Sequence, residues 1–317
     1  MMDARLKAFF RTAERAVQFQ LRFQQRDGSL IWDQCVRDAY HKQPYSWGIS
    51  GHLTEAHRLI SWIRDNALQP DGSLLDYGGD VYKLAWLFQG CHRIGRFDVS
   101  YPVMQWLISH QKPCGGFPHF AADDRLRALS TAWAGISALY FGNLDVAERA
   151  AAWCLKLLDQ PEEGRFYFQT DTEGHLLTEA ADPAAQHIDM AKTGQAYGEI
   201  GLPWMLMGRL RQATGDPKWS GYGDEFFHLQ RSCAQDNFAS VGSGSSSLAA
   251  CIHFMTTGDS RARTGALSFG EFLLATHHPE GGWRGDNEPD TPLIYIDHAA
   301  EYSVWLEEIV GLLGSID

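Results

Sequence analysis

Four stretches of this 317-residue sequence place an acid three or four positions from a second ionisable group. They are Asp80-Val81-Tyr82-Lys83, Asp124-Arg125-Leu126-Arg127, Asp189-Met190-Ala191-Lys192 and Asp297-His298-Ala299-Ala300-Glu301. Residues at these spacings share one face of a helix. Asp123 and His119 stand just before the second stretch and His187 just before the third, with Gln195, Tyr197 and Glu199 following; Tyr302 follows the fourth. Histidines, carboxylates and lysines around one cavity suit general acid–base catalysis, since crowding and burial move pKa values toward neutrality. The candidate catalytic groups are Asp123, Asp124, Asp189, Asp297, His298 and Glu301. The candidate substrate-binding groups are Asp80, Lys83, Trp86, His119, Arg127, His187, Lys192, Gln195, Tyr197 and Tyr302. A plainer role for the acids is helix capping, because Asp at a helix start satisfies free backbone N–H groups and suits the dipole. Capping leaves Lys83, Arg127 and Lys192 unexplained, since cations near a helix N-terminus are unfavourable unless paired or binding an anion.

The elements that must position these groups follow from a repeat. Gln111-Lys112-Pro113-Cys114-Gly115-Gly116-Phe117 recurs as Gln160-Pro161-Glu162-Glu163-Gly164-Arg165-Phe166 and as His277-His278-Pro279-Glu280-Gly281-Gly282-Trp283, with looser copies at 24–29 and 69–73. Its glycines at 28, 72, 116 and 164 are spaced by 44, 44 and 48 residues. A period in the mid-forties marks a helical repeat. Each unit reads as a helical hairpin joined by the Gly-aromatic turn, and six hairpins closed in a ring give an all-α, single-domain (α/α)6 toroid over 1–317. The predicted outer helices are 4–25, 52–67, 97–110, 143–158, 218–233 and 260–276. The predicted inner helices are 31–40, 79–92, 123–140, 187–213, 248–254 and 296–313, with a loop over 41–51 carrying Tyr45 and Trp47. A small β-hairpin insertion is expected near 165–178, turning at Asp171–Gly174 over one mouth of the barrel. The four acid-bearing stretches would then open inner helices and converge on one funnel.

Composition narrows the functional classes. The chain is 44% hydrophobic and 12% aromatic, enough for a large core, and its formal charge of −12 argues against nucleic-acid and anionic-membrane partners. No apolar run is long enough to span a bilayer, and the start lacks the apolar core of a signal peptide. Six cysteines without paired spacing read as reduced, mostly buried thiols of a cytoplasmic protein. Trp47, Trp86, Trp133, Trp204 and Trp305 read mostly as core. Asp33 and Cys35 with His298 are conceivable zinc ligands, but an ordinary helix start is the better reading, and no metal or cofactor is expected. The expected partner is a small-molecule substrate. Oligomeric state is left open.

The Gly-Gly-Phe and Gly-Gly-Trp turns resemble the repeats of terpenoid cyclases and of protein-prenyltransferase β subunits, over roughly 10–285. That resemblance implies a cofactor-independent cyclase or isomerase of a natural-product-type substrate, with Asp124 as proton donor. The class II cyclase Asp-x-Asp-Asp run corresponds to Ala121-Ala122-Asp123-Asp124, which lacks the first Asp. Thr214-Gly215-Asp216-Pro217-Lys218-Trp219 resembles a helix-linking turn of the six-hairpin carbohydrate enzymes, such as unsaturated glucuronyl hydrolases and sugar epimerases. That second resemblance implies a hydrolase, lyase or epimerase, with Asp124 and Asp189 as acid and base and the cations holding a uronate.

Overall fold

A computed structural model describes residues 3–32, 34–180, 182–285 and 288–315. The chain forms two compact units, Met1–Leu107 with Gly270–Asp317, and Ile108–Phe269.

The first unit contains α1 (Ala4–Leu21), α2 (Gln43–Ile49), α3 (Leu53–Asn66), α4 (Val81–Arg93) and most of α5 (Phe97–Ser109). Asp3 caps α1, its carboxylate accepting from Arg5 N at 2.8 Å, and Asp80 caps α4 by accepting from Lys83 N at 3.1 Å. The second unit contains β1 (Leu126–Arg127), α6 (Ala128–Phe141), α7 (Leu144–Lys156), β2 (Arg165–Tyr167), β3 (Gln169–Thr170), β4 (His187–Asp189), α8 (Gly198–Thr214), α9 (Lys218–Ser232) and α10 (Gly244–Thr257). α11 (Ser260–Thr276) follows, and α12 (Pro292–Gly314) returns to the first unit, packed along α1 and against α2.

The repeated turn has a physical explanation. Gln24 and Gln111 each donate across their own turn and also to a carbonyl of the next outer helix, Gln24 to Glu55 O at 2.9 Å and Gln111 to Val146 O at 3.0 Å. Gly28, Gly72, Gly115 and Gly281 have positive φ and press against the carbonyl oxygens of Arg58, Pro102, Arg149 and Arg15. The last of these turns therefore docks on α1, as the earlier ones dock on the outer helix that follows each of them. A Cβ at Gly115 would meet both the left-handed strain and the Arg149 carbonyl, whereas Gly164, at φ 78°, faces open space. Gly164→Ala should therefore cost about 1 kcal/mol, the left-handed strain alone. Gly115→Ala should lower the melting temperature several-fold further. Equal shifts in thermal denaturation would refute the docking role.

Several expected boundaries move. Among the described residues of 31–40 there is no helix; the first inner helix is α2, inside the stretch expected to be a loop. Inner helix three starts at Ala128 and inner helix four at Gly198, so Asp124 and Asp189 do not open helices. Asp189 ends β4, and the cap position of α6 is Arg127 in extended backbone. α12 starts at Pro292, which places Asp297 one turn inside it. A tight hairpin does form at 169–177, through Asp171 N to His175 O at 3.0 Å and Leu177 N to Gln169 O at 2.9 Å. Its flanking strands pair elsewhere, β2 with β4 and β3 with β1. All six cysteines are free and five are buried. Trp47, Trp86, Trp133, Trp204 and Trp305 are buried in the core. No described helix is long and apolar enough to cross a membrane.

Candidate active site

The densest cluster of ionisable groups in the first unit is built by α2 and α12. Lys42, the cap residue of α2, is buried, and its ammonium lies 2.7 Å from Asp297 Oδ2 and 2.6 Å from Glu301 Oε2. Asp297 and Glu301 are one helical turn apart, so a single cation can bridge them. Glu301 also accepts from Trp305 Nε1 at 3.2 Å, and the Trp305 ring meets Trp86 at 5.2 Å in a T-shaped arrangement. His41 Nε2 stands 3.7 Å from Asp297 Oδ1. His298 Nε2 lies 3.4 Å from Glu288 Oε1, with its ring 5.3 Å from that of Tyr302. Asp297, His298 and Glu301 keep 17%, 13% and 20% of their side-chain surface in contact with solvent, which makes them the reachable face of the cluster. Lys42 and His41 lie behind them.

This packing drives the protonation states apart. Burial works against the Lys42 ammonium, but the attraction of Asp297 and Glu301 outweighs it and raises its pKa. Burial likewise pushes Glu301 toward its neutral form, and the charge and hydrogen bond of Lys42 overcome this, leaving its pKa below the usual value. For His298, burial is outweighed by the Glu288 contact and the Asp297 charge, so its pKa is raised. Full burial, reinforced by Lys83 and Lys42, holds His41 well below the ordinary histidine value. Groups whose environments separate their pKa values in this way are candidates for acid and base roles. Among the described residues, His41 Nε2, Asp297 Oδ1 and His298 Nδ1 are buried without a hydrogen-bond partner. Such atoms cost free energy unless a ligand or a function accounts for them.

The other first-unit candidates have structural partners. Asp80 is the α4 cap, and burial pushes its pKa up. Lys83 pairs with Asp38, not with the Asp80 carboxylate. Cys35 is buried and its thiol is pushed up to about 12 by desolvation, while Asp33 lies outside the described residues. Among the described residues, no group of three or more His, Cys, Asp or Glu is placed to hold a metal ion.

In the second unit Arg127 Nε donates to Glu199 Oε1 at 2.6 Å, and the buried Glu199 also accepts from Leu129 N at 2.9 Å. Arg127 is therefore held by Glu199, not by Asp124, which is exposed. Asp123 closes its own turn by accepting from Phe120 N at 3.0 Å, and His119 Nδ1 lies 3.1 Å from Ser130 Oγ. Lys192 pairs with Asp189 at 2.8 Å as a largely exposed bridge. Gln195 accepts from Asp189 N at 3.0 Å, Tyr197 donates to Asp236 at 2.6 Å, and His187 Nδ1 lies 3.6 Å from Glu179. Burial raises the pKa of Glu199 while Arg127 opposes that shift. A raised folded pKa means that ionised Glu199 weighs against the fold as pH climbs above its ordinary 4.5. Arg127→Met should therefore lose little stability near pH 5 and much more at pH 8, as read by urea denaturation. A loss independent of pH would contradict this pairing.

Sequence reasoning missed Lys42, His41, Asp38 and Glu288. One signal could have found the first two. Pro44 is the second residue of α2, a favoured place for proline at a helix start, so His41-Lys42-Gln43-Pro44 marks a beginning.

No protein-family model matches this chain, and no curated protein matches it. Solved structures do. A D-mannose isomerase structure is 13% identical with a TM-score of 0.68, covering 96% of this chain and 99% of that one. A variant α-1,6-mannanase of Salegentibacter sp. HEL1_6, in complex with α-1,6-mannotetrose, is 14% identical with a TM-score of 0.67 over 96% and 99%. An unsaturated glucuronyl hydrolase specific for heparin is 12% identical with a TM-score of 0.66 over 96% and 98%. At such identities the likeness bears on fold. The chain has the all-α (α/α)6 toroid fold that its repeat predicts.

Proposed function

We propose that this chain is an acid–base enzyme of the carbohydrate-active type, with its reacting groups at Glu301 and His298. The observation that carries the reading is the Lys42–Asp297–Glu301 triad beside His298. Lys42 holds the Glu301 pKa below its usual value, and Glu288 with Asp297 raises that of the His298 imidazole one turn away on a reachable helix face. That pair suits proton transfer between neighbouring carbons of a sugar. Glu301 takes the proton from the carbon beside a carbonyl, and His298 gives its own proton to the carbonyl oxygen. Neutral His298 then takes the proton of the enediol's other hydroxyl as that oxygen becomes the new carbonyl, and Glu301 returns the proton it holds to the neighbouring carbon, restoring both groups. Lys42 holds Glu301 ionised without touching substrate, and Asp297 links the two halves. No residue of this scheme requires a cofactor or a metal.

The likenesses to mannose isomerase, mannanase and glucuronyl hydrolase support the carbohydrate class over the cyclase reading, which gains nothing from them. Lys83 and Arg127 are held by Asp38 and Glu199, so a uronate would need other cations than these two, while the likeness to a glucuronyl hydrolase keeps uronates within the carbohydrate class. The six-hairpin repeat runs through both compact units, which supports a single functional domain over 1–317. A second reading, glycoside hydrolysis, has one feature in its favour. The mannanase variant is described as inactive with two adjacent aspartates replaced, and Asp123-Asp124 is the adjacent aspartate pair of this sequence. The two readings differ in product. Incubation with free aldoses and with α-linked manno-oligosaccharides, followed by NMR, should show a ketose or an epimer under the first. New reducing ends from the oligosaccharides alone would favour hydrolysis, and inertness toward both classes would overturn the carbohydrate assignment.

A further inference from the structure

The first unit holds a concave feature that the acid–base scheme does not use. It is a cleft of about 270 Å³ where the end of α1, the last Gly-Gly-Trp turn and the start of α12 meet. Phe19, Phe23, His278 and Tyr295 line it together with the carboxylates of Glu280 and Asp290. The rings meet edge to face: Phe19 with Phe23 at 5.2 Å, Phe19 with Tyr295 at 6.5 Å, and His278 with Tyr295 at 5.5 Å. Rings set at such angles present faces in more than one direction. His278 Nδ1 lies 3.3 Å from Glu280 N, which fixes its ring against the turn. Among the described residues, neither Lys nor Arg lines the cleft. Arg22 reaches Glu280 at 3.9 Å through side chains that are both more than half exposed.

We propose that this cleft binds an organic ammonium group. Aromatic faces attract a cation through their quadrupoles, and two carboxylates without a lining cation supply the long-range attraction. A neutral sugar ring would also stack on Tyr295 and donate hydroxyls to the carboxylates, but only a cation draws the full attraction of both charges. The volume suits a trimethylammonium group or one amino-sugar ring. The proposal does not depend on the reaction at Glu301 and His298, because its readout is binding alone.

The test compares ligands that differ only in charge, by calorimetric titration of the full chain. Choline should bind about tenfold or more tightly than 3,3-dimethylbutan-1-ol, its neutral isostere, the range expected of a partly desolvated cation–π contact. Glucosamine set against glucose identifies the source. A preference for glucosamine that exceeds the choline preference places the ammonium on a sugar, and the reverse places it on a free amine. Glu280→Gln with Asp290→Asn changes exposed side chains and should weaken the cation about tenfold with helix content unchanged. Tyr295→Leu should do the same. Equal binding of choline and its isostere, together with equal binding of glucosamine and glucose, would overturn the proposal. Undiminished cation binding in the double variant would overturn it as well.

Discussion

Lys42→Met should lose about 3 kcal/mol of stability at pH 7, the low end for breaking a buried ion pair, since its two carboxylates keep some contact with solvent. The ammonium is almost wholly enclosed, with 5% of its side chain exposed, and two carboxylates converge on it. The sign of the pH dependence follows from the shifts. The lowered Glu301 pKa contributes stability that is complete above its ordinary 4.5 and fades as pH falls through the lowered value. The raised Lys42 pKa contributes stability that is complete below its ordinary 10.5 and fades only as pH rises through the raised value. Wild type therefore holds the full benefit between those limits. The variant's deficit should shrink toward pH 4, where the stranded carboxylates can take up protons. Urea denaturation at pH 4, 5.5 and 7 reads this directly, and a deficit that does not change with pH would mean that the triad is not what Lys42 supports.

Glu301→Gln should cut turnover by about 10²–10⁴-fold, the usual contribution of a positioned general base, without changing helix content. The amide keeps the volume and an oxygen for Lys42, so the local structure has little reason to change. The wild-type rate should need Glu301 ionised and His298 protonated. It should rise through the lowered Glu301 pKa, below 4.5, and fall through the raised His298 pKa, above 6.5. In His298→Asn the alkaline limb should disappear along with most of the rate. An unchanged pH profile in that variant would remove His298 from the mechanism.

Much of the fold was legible because its signals are local. The Gln-x-x-x-Gly frame names the residues that tie each turn to its neighbour, and the outer helices were placed to within a few residues. The inner helices were harder. Each is apolar around much of its circumference, so periodicity alone does not mark where it starts; α8 begins eleven residues after its expected start at His187. That error placed Asp124 and Asp189 at helix starts, where they are not found. Asp297, His298 and Glu301 were found because they share one face of a long helix. Their cation was not, since Lys42 lies 255 residues from Asp297 and only the tertiary fold brings them together. Lys83 and Arg127 were read as substrate-binding cations, whereas each has a protein carboxylate beside it. The partners, Asp38 and Glu199, were not the acids of their own stretches.

The central claim is that Glu301 and His298 move a proton on a carbohydrate, and solvent-deuterium exchange tests it most directly. A set of aldoses, mannose and glucosamine among them, is incubated with the protein in D2O and followed by proton NMR. Wild type should wash deuterium into the carbon beside the carbonyl of at least one sugar, with the corresponding ketose or epimer forming alongside. Folded Glu301→Gln should lose that exchange. Exchange that continues undiminished in folded Glu301→Gln and His298→Asn would contradict the assignment, as would a wild-type protein that releases reducing ends while exchanging no carbon-bound proton.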